Sequence, residues 1–199
     1  MTLGIVLPAA GASSRMRGRD KLLEEVDAVP ILLRQTRRAL SLGLPVLVTL
    51  PTVSGARATS LDVAANAGLE RRPVPDAASG LSASLRVAAG WAMERDMSGL
   101  MIVLPDMPDL DADDMRAVAA LHADHPGDVI RATDAEGRFG HPTLLPARLL
   151  PALVTLSGDT GAREVIGPEK IRPCRLGGTR ATLDLDTPEA WADWRAAKG

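Results

Sequence analysis

Short β-rich runs alternate along the chain with helical stretches. The candidate strands are Leu3–Leu7, Val46–Leu50, Glu70–Pro73, Leu100–Leu104 and Val129–Thr133. Two of them, Val46–Leu50 and Met101–Leu104, run continuously apolar instead of alternating, which implies burial on both faces, as in a parallel sheet covered by helices. Candidate helices lie between them at Ile31–Leu42, Arg57–Ala67, Ser82–Glu94 and Asp113–Ala123, with Pro30 suited to open the first. Further helices are expected over Ala147–Val154, Ala162–Ile166 and Pro188–Ala197, the last carrying Trp191 and Trp194 on one packing face. This rhythm predicts an α/β fold with right-handed crossovers. After residue 133 the pattern changes. Asp134-Ala135-Glu136-Gly137 reads as a turn between antiparallel strands, the second near Pro142–Leu145, so a mostly parallel mixed sheet with helices on both faces is expected. No internal repeat, low-complexity tract or linker interrupts the pattern, which suits one domain over residues 1–199.

Composition narrows the functional classes. The 199 residues carry 23 Lys+Arg against 25 Asp+Glu, a net charge of −2, which provides no broad basic footprint for nucleic acid. Aromatic residues make up 2% with no Tyr, so base-stacking platforms are not expected either. The lone Cys174 forms no internal disulfide and no four-cysteine zinc site. The apolar N-terminal run ends at Pro8 without a preceding positive charge, and no run approaches the roughly 18–20 residues of a membrane span. A cytoplasmic location without membrane contact is the expectation.

In such sheets ligands bind at the carboxyl ends of the strands. The first strand runs into a loop from Leu7 to Lys21 that combines small residues (Ala9, Ala10, Gly11, Ala12), the hydroxyls of Ser13 and Ser14, and four cations at Arg15, Arg17, Arg19 and Lys21. Exposed backbone N–H groups, an Arg fork and a Lys point charge suit phosphate; the alternative is a solvated loop whose cations face water. Lys21 lies between Asp20 and Leu22, so the loop is no P-loop; it also lacks the three spaced glycines of a dinucleotide site, and Gly11-Ala12-Ser13-Ser14-Arg15 is no nucleophile elbow.

The fourth strand ends in Leu104-Pro105-Asp106-Met107-Pro108-Asp109. A carboxylate just past a buried strand is placed to hold Mg²⁺, which takes one or two carboxylates plus substrate phosphates. Asp109 or Asp111 reads better as the cap of the next helix, and an EF-hand is excluded because Asp114 and Ala120 occupy its Gly and Glu positions. Strand-like alternation puts Asp184 and Asp186 on one face, within reach of a metal on Asp106, while Thr187 reads as an N-cap before Pro188. His141 is a candidate substrate contact or a hydrogen-bonded structural histidine, and His122 and His125 beside Asp124 read as a solvated helix terminus.

These segments together resemble a known family. The N-terminal stretch is similar to the Leu-x-Ala-Gly-x-Ser-x-Arg-Met-Gly-x-x-Lys signature of MobA-like nucleotidyltransferases, which include the molybdenum cofactor guanylyl- and cytidylyltransferases. Gly80–Leu85, Leu104–Pro108, Gly140–Pro142, Gly158–Arg163 and Asp184–Glu189 follow in the family's order. One departure is Arg17, an extra residue before Gly18, although Lys21 keeps its place three residues after that glycine.

The resemblance implies a Rossmann-like nucleotidyltransferase fold and Mg²⁺-dependent transfer of a nucleoside monophosphate from an NTP with release of pyrophosphate. Asp106, with Asp184 or Asp186, would hold the metal, while Arg15 and Lys21 would act on the phosphates. Backbone at Ala9, Ala10 and Gly11, with Ser13, Gly80, Ser82 and Ser84, would hold the nucleotide. His141, Asp159 and Arg163 would lie on the acceptor side. Ala9-Ala10-Gly11 matches the CTP-using branch, where Ala-Gly-Gly goes with GTP, so the implied substrates are CTP (or GTP) and a molybdopterin-type acceptor. The product would go to a molybdoenzyme or its chaperone. A phosphate acceptor is largely dianionic at neutral pH and needs no general base, in keeping with the absence of a base–nucleophile pair. Guanylyl transfer, a sugar phosphate or phospholactate acceptor, and a non-catalytic cofactor chaperone are the rival readings.

Overall fold

In the computed structural model, which describes residues 2–64, 68–156 and 162–198, the continuous apolar runs form the middle of a seven-stranded sheet. The elements in chain order are β1 (Leu3–Pro8), β2 (Glu25–Val26), β3 (Val29–Pro30), α1 (Ile31–Leu40), β4 (Val46–Leu50), α2 (Ala56–Ser60), β5 (Leu69–Pro73), α3 (Leu81–Met93), β6 (Gly99–Ile102), α4 (Ala112–Asp124), β7 (Val129–Thr133), β8 (Phe139–Pro146), α5 (Leu150–Val154), α6 (Arg163–Ile166), β9 (Ile171–Arg175) and α7 (Pro188–Lys198). The sheet order is β5-β4-β1-β6-β8-β7-β9, with β2 and β3 paired as a separate small hairpin. Within the seven-stranded sheet β8 alone runs antiparallel to its neighbours; it returns from the turn at residues 134–137 and inserts between β6 and β7.

Consecutive strand residues supply the two sides of the sheet. Leu3, Ile5 and Leu7 of β1 join Val46, Val48 and Met101 in a core with Ile31 and Leu32 of α1, Met115 and Val118 of α4, and Trp191 of α7. Val6, Leu47, Leu100 and Ile102 face the other way, into Leu85, Ala88 and Trp91 of α3, Leu150 and Leu153 of α5, and Ile166 of α6. Both sides of the central strands are therefore desolvated, which is why their sequences do not alternate. α4 opens on a capping box: the Asp111 side chain accepts from the Asp114 N–H (2.9 Å), and Asp114 accepts from the Asp111 N–H (3.1 Å). Thr187 caps α7 through its hydroxyl to the Ala190 N–H (3.2 Å).

The structure departs from the sequence reading in several places. β9 carries Cys174 at an edge of the sheet, and its run Ile-Arg-Pro-Cys-Arg lacks a continuous apolar signal because only Cys174 is fully buried and Pro173 suits an unpaired edge. The expected helix Arg57–Ala67 is only α2 followed by a tight turn over Asp62–Ala64, its remaining residues lying outside the described part. Residues 147–149 form a separate tight turn before α5. His122 is buried, not solvated, with its ring packed against Gly99 and Nε2 3.3 Å from the Ser98 hydroxyl. Among the described residues, no helix is long and apolar enough to cross a membrane.

Candidate active site

The carboxyl ends of β1 and β6 open into a cleft of about 560 Å³ lined by Gly11–Arg15, Lys21, the α3 start at Gly80, Leu81 and Ser84, and the carboxylates Asp106, Asp184 and Asp186. The loop after β1 is held in shape by its own chemistry. Ser13 and Arg17 take left-handed backbone angles (φ 52° at each) on either side of one tight turn, Ser14–Met16, and Met16 is fully buried as its anchor. The Asp20 carboxylate accepts from the Leu22 N–H (3.0 Å) and so fixes the approach of Lys21.

Lys21 is the centre of the charge network. Its Nζ lies 2.5 Å from Asp106 Oδ2 and 2.6 Å from Asp186 Oδ1, and Arg15 Nη2 lies 2.7 Å from Asp186 Oδ2. Burial would lower the Lys21 pKa, but the two facing carboxylates outweigh it and hold the ammonium above its ordinary value. Burial likewise opposes ionisation of Asp186, and Lys21 and Arg15 overcome it and hold its carboxyl below the usual range. Asp184 has no such cation among the described residues and is pushed up by burial and then by the neighbouring charges of Asp106 and Asp186.

Two loops converge to bring these acids together. α1 pins the Asp106 loop: buried Gln35 donates to the carbonyls of Met107 and Leu110 (3.2 Å to the latter), and Arg38 donates to Pro108 O (3.0 Å). The 183–186 segment forms no strand, but the Leu185 N–H donates to Asp106 O (3.1 Å) and the Leu185 side chain is buried, leaving Asp184 and Asp186 to face the cleft. Gly140 explains how this segment comes so close, since any Cβ there would collide with the Ala181 carbonyl, which accepts the His141 N–H (2.8 Å). Oxygen atoms of Asp106, Asp184 and Asp186 lie within 4.8 Å of one another, the one such acidic cluster among the described residues. Asp106 Oδ1 is buried without a hydrogen-bond partner. Three hard carboxylate oxygens and an orphaned acceptor fit a divalent cation of the Mg²⁺, Mn²⁺ or Ca²⁺ type.

Not every residue singled out in the sequence reaches this cleft. Ala9 is fully buried, with its N–H given to Thr49 O (2.9 Å) and its carbonyl to Arg57 (2.6 Å), so its backbone is already satisfied internally. Ser82 is also buried, away from the cleft lining, and its hydroxyl has no partner. Ala10 lines a second cavity of about 420 Å³, which shares Gly11 and Ala12 with the cleft. His141 and Arg163 line a third of about 450 Å³, joined to the cleft across Leu81. Burial drives the His141 pKa down to about 4, despite the Ile102 carbonyl 3.4 Å from Nδ1. Asp159 lies outside the described residues.

A family profile for the MobA-like NTP transferase domain matches residues 4–174. The chain belongs to the MobA-like NTP transferase family. That span includes the loop to Lys21, Asp106 and His141, whereas Asp184 and Asp186 lie beyond it. No curated protein matches in a sequence comparison. Among solved structures, Rv0371c from Mycobacterium tuberculosis H37Rv superposes with a TM-score of 0.76 at 26% identity, covering 99% of this chain and 97% of that one. The same protein solved in complex with manganese gives 0.74 at 24% identity, covering 97% of each. A CMP:2-keto-3-deoxy-manno-octonic acid synthetase complexed with CTP gives 0.74 at 14% identity, covering 100% and 98%, a likeness of fold alone.

The MobA-like transferase also uses a residue that the sequence did not single out. Arg57, nearly buried, donates from Nε and Nη2 to both oxygens of Asp20 (2.7 and 2.8 Å), from Nη2 to Ser13 Oγ (3.0 Å), and from Nη1 to the carbonyls of Ala9 and Gly11 (2.6 and 2.7 Å). One guanidinium thus ties together the loop that follows β1. Its only sequence trace is an Arg between two alanines, 37 residues from its acidic partner.

Proposed function

We propose that this nucleotidyltransferase transfers CMP from CTP to the terminal phosphate of a molybdopterin-type acceptor, releasing pyrophosphate. The observation that carries the reading is Lys21 Nζ set between Asp106 and Asp186 on the wall of one cleft, so that cationic and acidic groups address the same ligand. Asp106, Asp184 and Asp186 would hold Mg²⁺, and the existence of a manganese complex of Rv0371c is in keeping with a divalent ion. When bound, such an ion supplies Lewis-acid polarisation and charge neutralisation at phosphate oxygens.

The chain's own residues do the rest. What opposes reaction is repulsion between an acceptor dianion and the triphosphate, about 4 kcal/mol for each pair of unit charges at 4 Å and an effective dielectric of 20. Arg15, mostly exposed at the cleft mouth, and Lys21 draw charge toward the departing pyrophosphate. Gly11, Ser13, Gly80 and Ser84 line the nucleotide path, with Ala10 and Gly11 leading into the small-walled cavity beside it. His141 is neutral at pH 7, so it adds no positive charge to the acceptor side, where it sits with Arg163. The preference for CTP rests on the Ala9-Ala10-Gly11 resemblance, and delivery to a molybdoenzyme or its chaperone belongs to the same proposal.

The test is to incubate the protein with Mg²⁺, each NTP in turn and molybdopterin, and to weigh the product. A cytosine dinucleotide with stoichiometric pyrophosphate supports the proposal. A guanine dinucleotide overturns the base assignment, and transfer only to a sugar phosphate or phospholactate overturns the acceptor.

A further inference from the structure

The third cavity has an unusual charge balance. Arg131, His141, Thr143 and Arg163 are its polar lining, Leu81, Leu85, Ile102, Ile166 and Ile171 its apolar walls, and among the described residues no carboxylate lines it. Arg131 and Arg163 are also without an ion pair among the described residues, although this chain pairs most of its other arginines with acids. Arg131 Nε is buried and lacks a hydrogen-bond partner. Its guanidinium carbon lies over the Phe139 ring, 5.1 Å from the centroid, a cation–π contact that uses none of its N–H donors.

Topology places this cation deliberately. Arg131 of β7 pairs in register with Thr143 of β8, which pairs with Ile102 of β6. Strand alternation puts it on the same side as Val129, the side covered by α3, α5 and α6, where an uncompensated guanidinium is expensive. Burial and the nearby charge of Arg163 both work against its ionised form. Two converging cations without an acid, set in apolar walls, describe a receptor for an anion that the protein does not itself provide.

We propose that Arg131 and Arg163 form a paired grip for the phosphate monoester of the acceptor, whose apolar body rests on Leu81, Leu85 and Ile102. This rests on the nucleotidyltransferase reading of the adjoining cleft and adds Arg131 to the acceptor side. It separates the two substrates by charge: the NTP enters where acids and cations are both present, the acceptor where only cations are.

Phenyl phosphate, a dianion on an apolar ring, is the probe, with CTP titrated in parallel by calorimetry in the presence of Mg²⁺. The wild-type protein binds both. Arg131→Met weakens phenyl phosphate by about tenfold or more, the worth of a charge-assisted contact, and leaves CTP unchanged. Arg163→Met, at an exposed position that leaves the packing intact, weakens it in the same direction. Arg131→Lys restores only part of the loss, because an ammonium lacks the fork. Absence of phenyl phosphate binding to the wild type, or binding by both Met variants as tight as the wild type's, overturns the proposal while CTP binding stands. Equal weakening of CTP and phenyl phosphate also overturns it, by assigning Arg131 to the triphosphate. Absence of CTP binding with phenyl phosphate binding retained separately overturns the reading of the cleft.

Discussion

The cleft and the cavity beside it treat charge in opposite ways. In the cleft, cations rest on acids: Lys21 on Asp106 and Asp186, Arg15 on Asp186, and Arg57 behind it on Asp20. Across Leu81, Arg131 and Arg163 have no acid among the described residues. A surface that receives a triphosphate together with a metal must be complementary to both signs, and without ligands those signs neutralise each other. A surface that receives only an anion has nothing of its own to pair with, so it remains electrostatically unsatisfied until the ligand arrives. Ion pairing in the free protein therefore distinguishes a mixed-charge site from an anion site.

The contrast predicts its largest effects inside the cleft. Asp106→Asn removes a carboxylate from the cluster of three, and since even outer partners of a metal ligand are worth 10–100-fold, transfer falls by more than about 100-fold. Lys21→Met, which deletes the fixed charge that the proposed reaction sets against the leaving pyrophosphate, lowers kcat by about 100- to 1000-fold. The two variants then diverge. Manganese titration of the free protein, followed by electron paramagnetic resonance, shows weaker binding for Asp106→Asn and tighter binding for Lys21→Met, because the ammonium no longer sits between Asp106 and Asp186. Weaker manganese binding by Lys21→Met contradicts the view that ammonium and metal compete for the same acids.

Removing an arginine should also have different consequences on the two sides. Arg57→Met strands the Asp20 carboxylate, which Arg57 holds below the usual range against the effect of burial, and opens five hydrogen bonds of the loop. Breaking such a pair by deleting one partner costs about 2–4 kcal/mol, toward the lower side because Asp20 keeps some exposure. Arg131→Met strands no acid and removes a like-charge neighbour of Arg163, so urea unfolding finds its stability unchanged or raised. Equal destabilisation by the two substitutions would mean that Arg131 has a structural partner after all.

How much of this was visible in the sequence depended on whether the signal was local. The central strands and the Thr187 cap are read within a few residues and stand in the structure where the pattern put them. Of the two cap candidates Asp109 and Asp111 the structure uses Asp111, and its reciprocal partner Asp114 was missed as part of a cap. β9 was not legible, because an edge strand with Pro173 and one buried residue has no apolar run. The loop residues Lys21 and Asp106 were legible as chemistry, yet their meeting is a product of strand order, β1 beside β6, which no local pattern encodes. Arg57 and Arg131 were missed for the same reason. Their roles come from a partner 37 residues away in one case and from the lack of one in the other. That Ala9 and Ser82 are buried and do not line the cleft was not legible for a simpler cause: a small residue reads alike whether it borders a ligand or fills a core.

A smaller effect concerns His141, whose pKa of about 4 sets a pH window. The unfolded chain protonates this imidazole near 6.5 while the folded protein keeps it neutral down to about 4. Folding stability contributed by this depression is complete above pH 6.5 and is lost as the pH falls toward 4, because the unfolded state then binds the extra proton. Allowing for the remaining exposure of the ring, about 2 kcal/mol disappears across that interval. Urea unfolding at pH 7 and 4.5 measures it, and His141→Gln flattens this part of the slope. A slope that survives in the variant assigns the loss to other groups.

The smallest effect belongs to the extra residue of the N-terminal loop. Arg17 adopts φ 52°, next to Gly18 at 85°, and directs its guanidinium away from the cleft to Glu189 (2.7 Å) at the start of α7, with both side chains more than half exposed. The left-handed angle costs a non-glycine residue about 1 kcal/mol, and an exposed pair returns at most about that amount. Arg17→Gly therefore exchanges two small terms of opposite sign and leaves stability within about 0.5 kcal/mol of the parent. Nucleotidyl transfer is unchanged, since Arg15 and Lys21 keep their places on either side of the insertion. A tenfold fall in kcat in this variant would bring Arg17 to the phosphates and make the longer loop part of the chemistry.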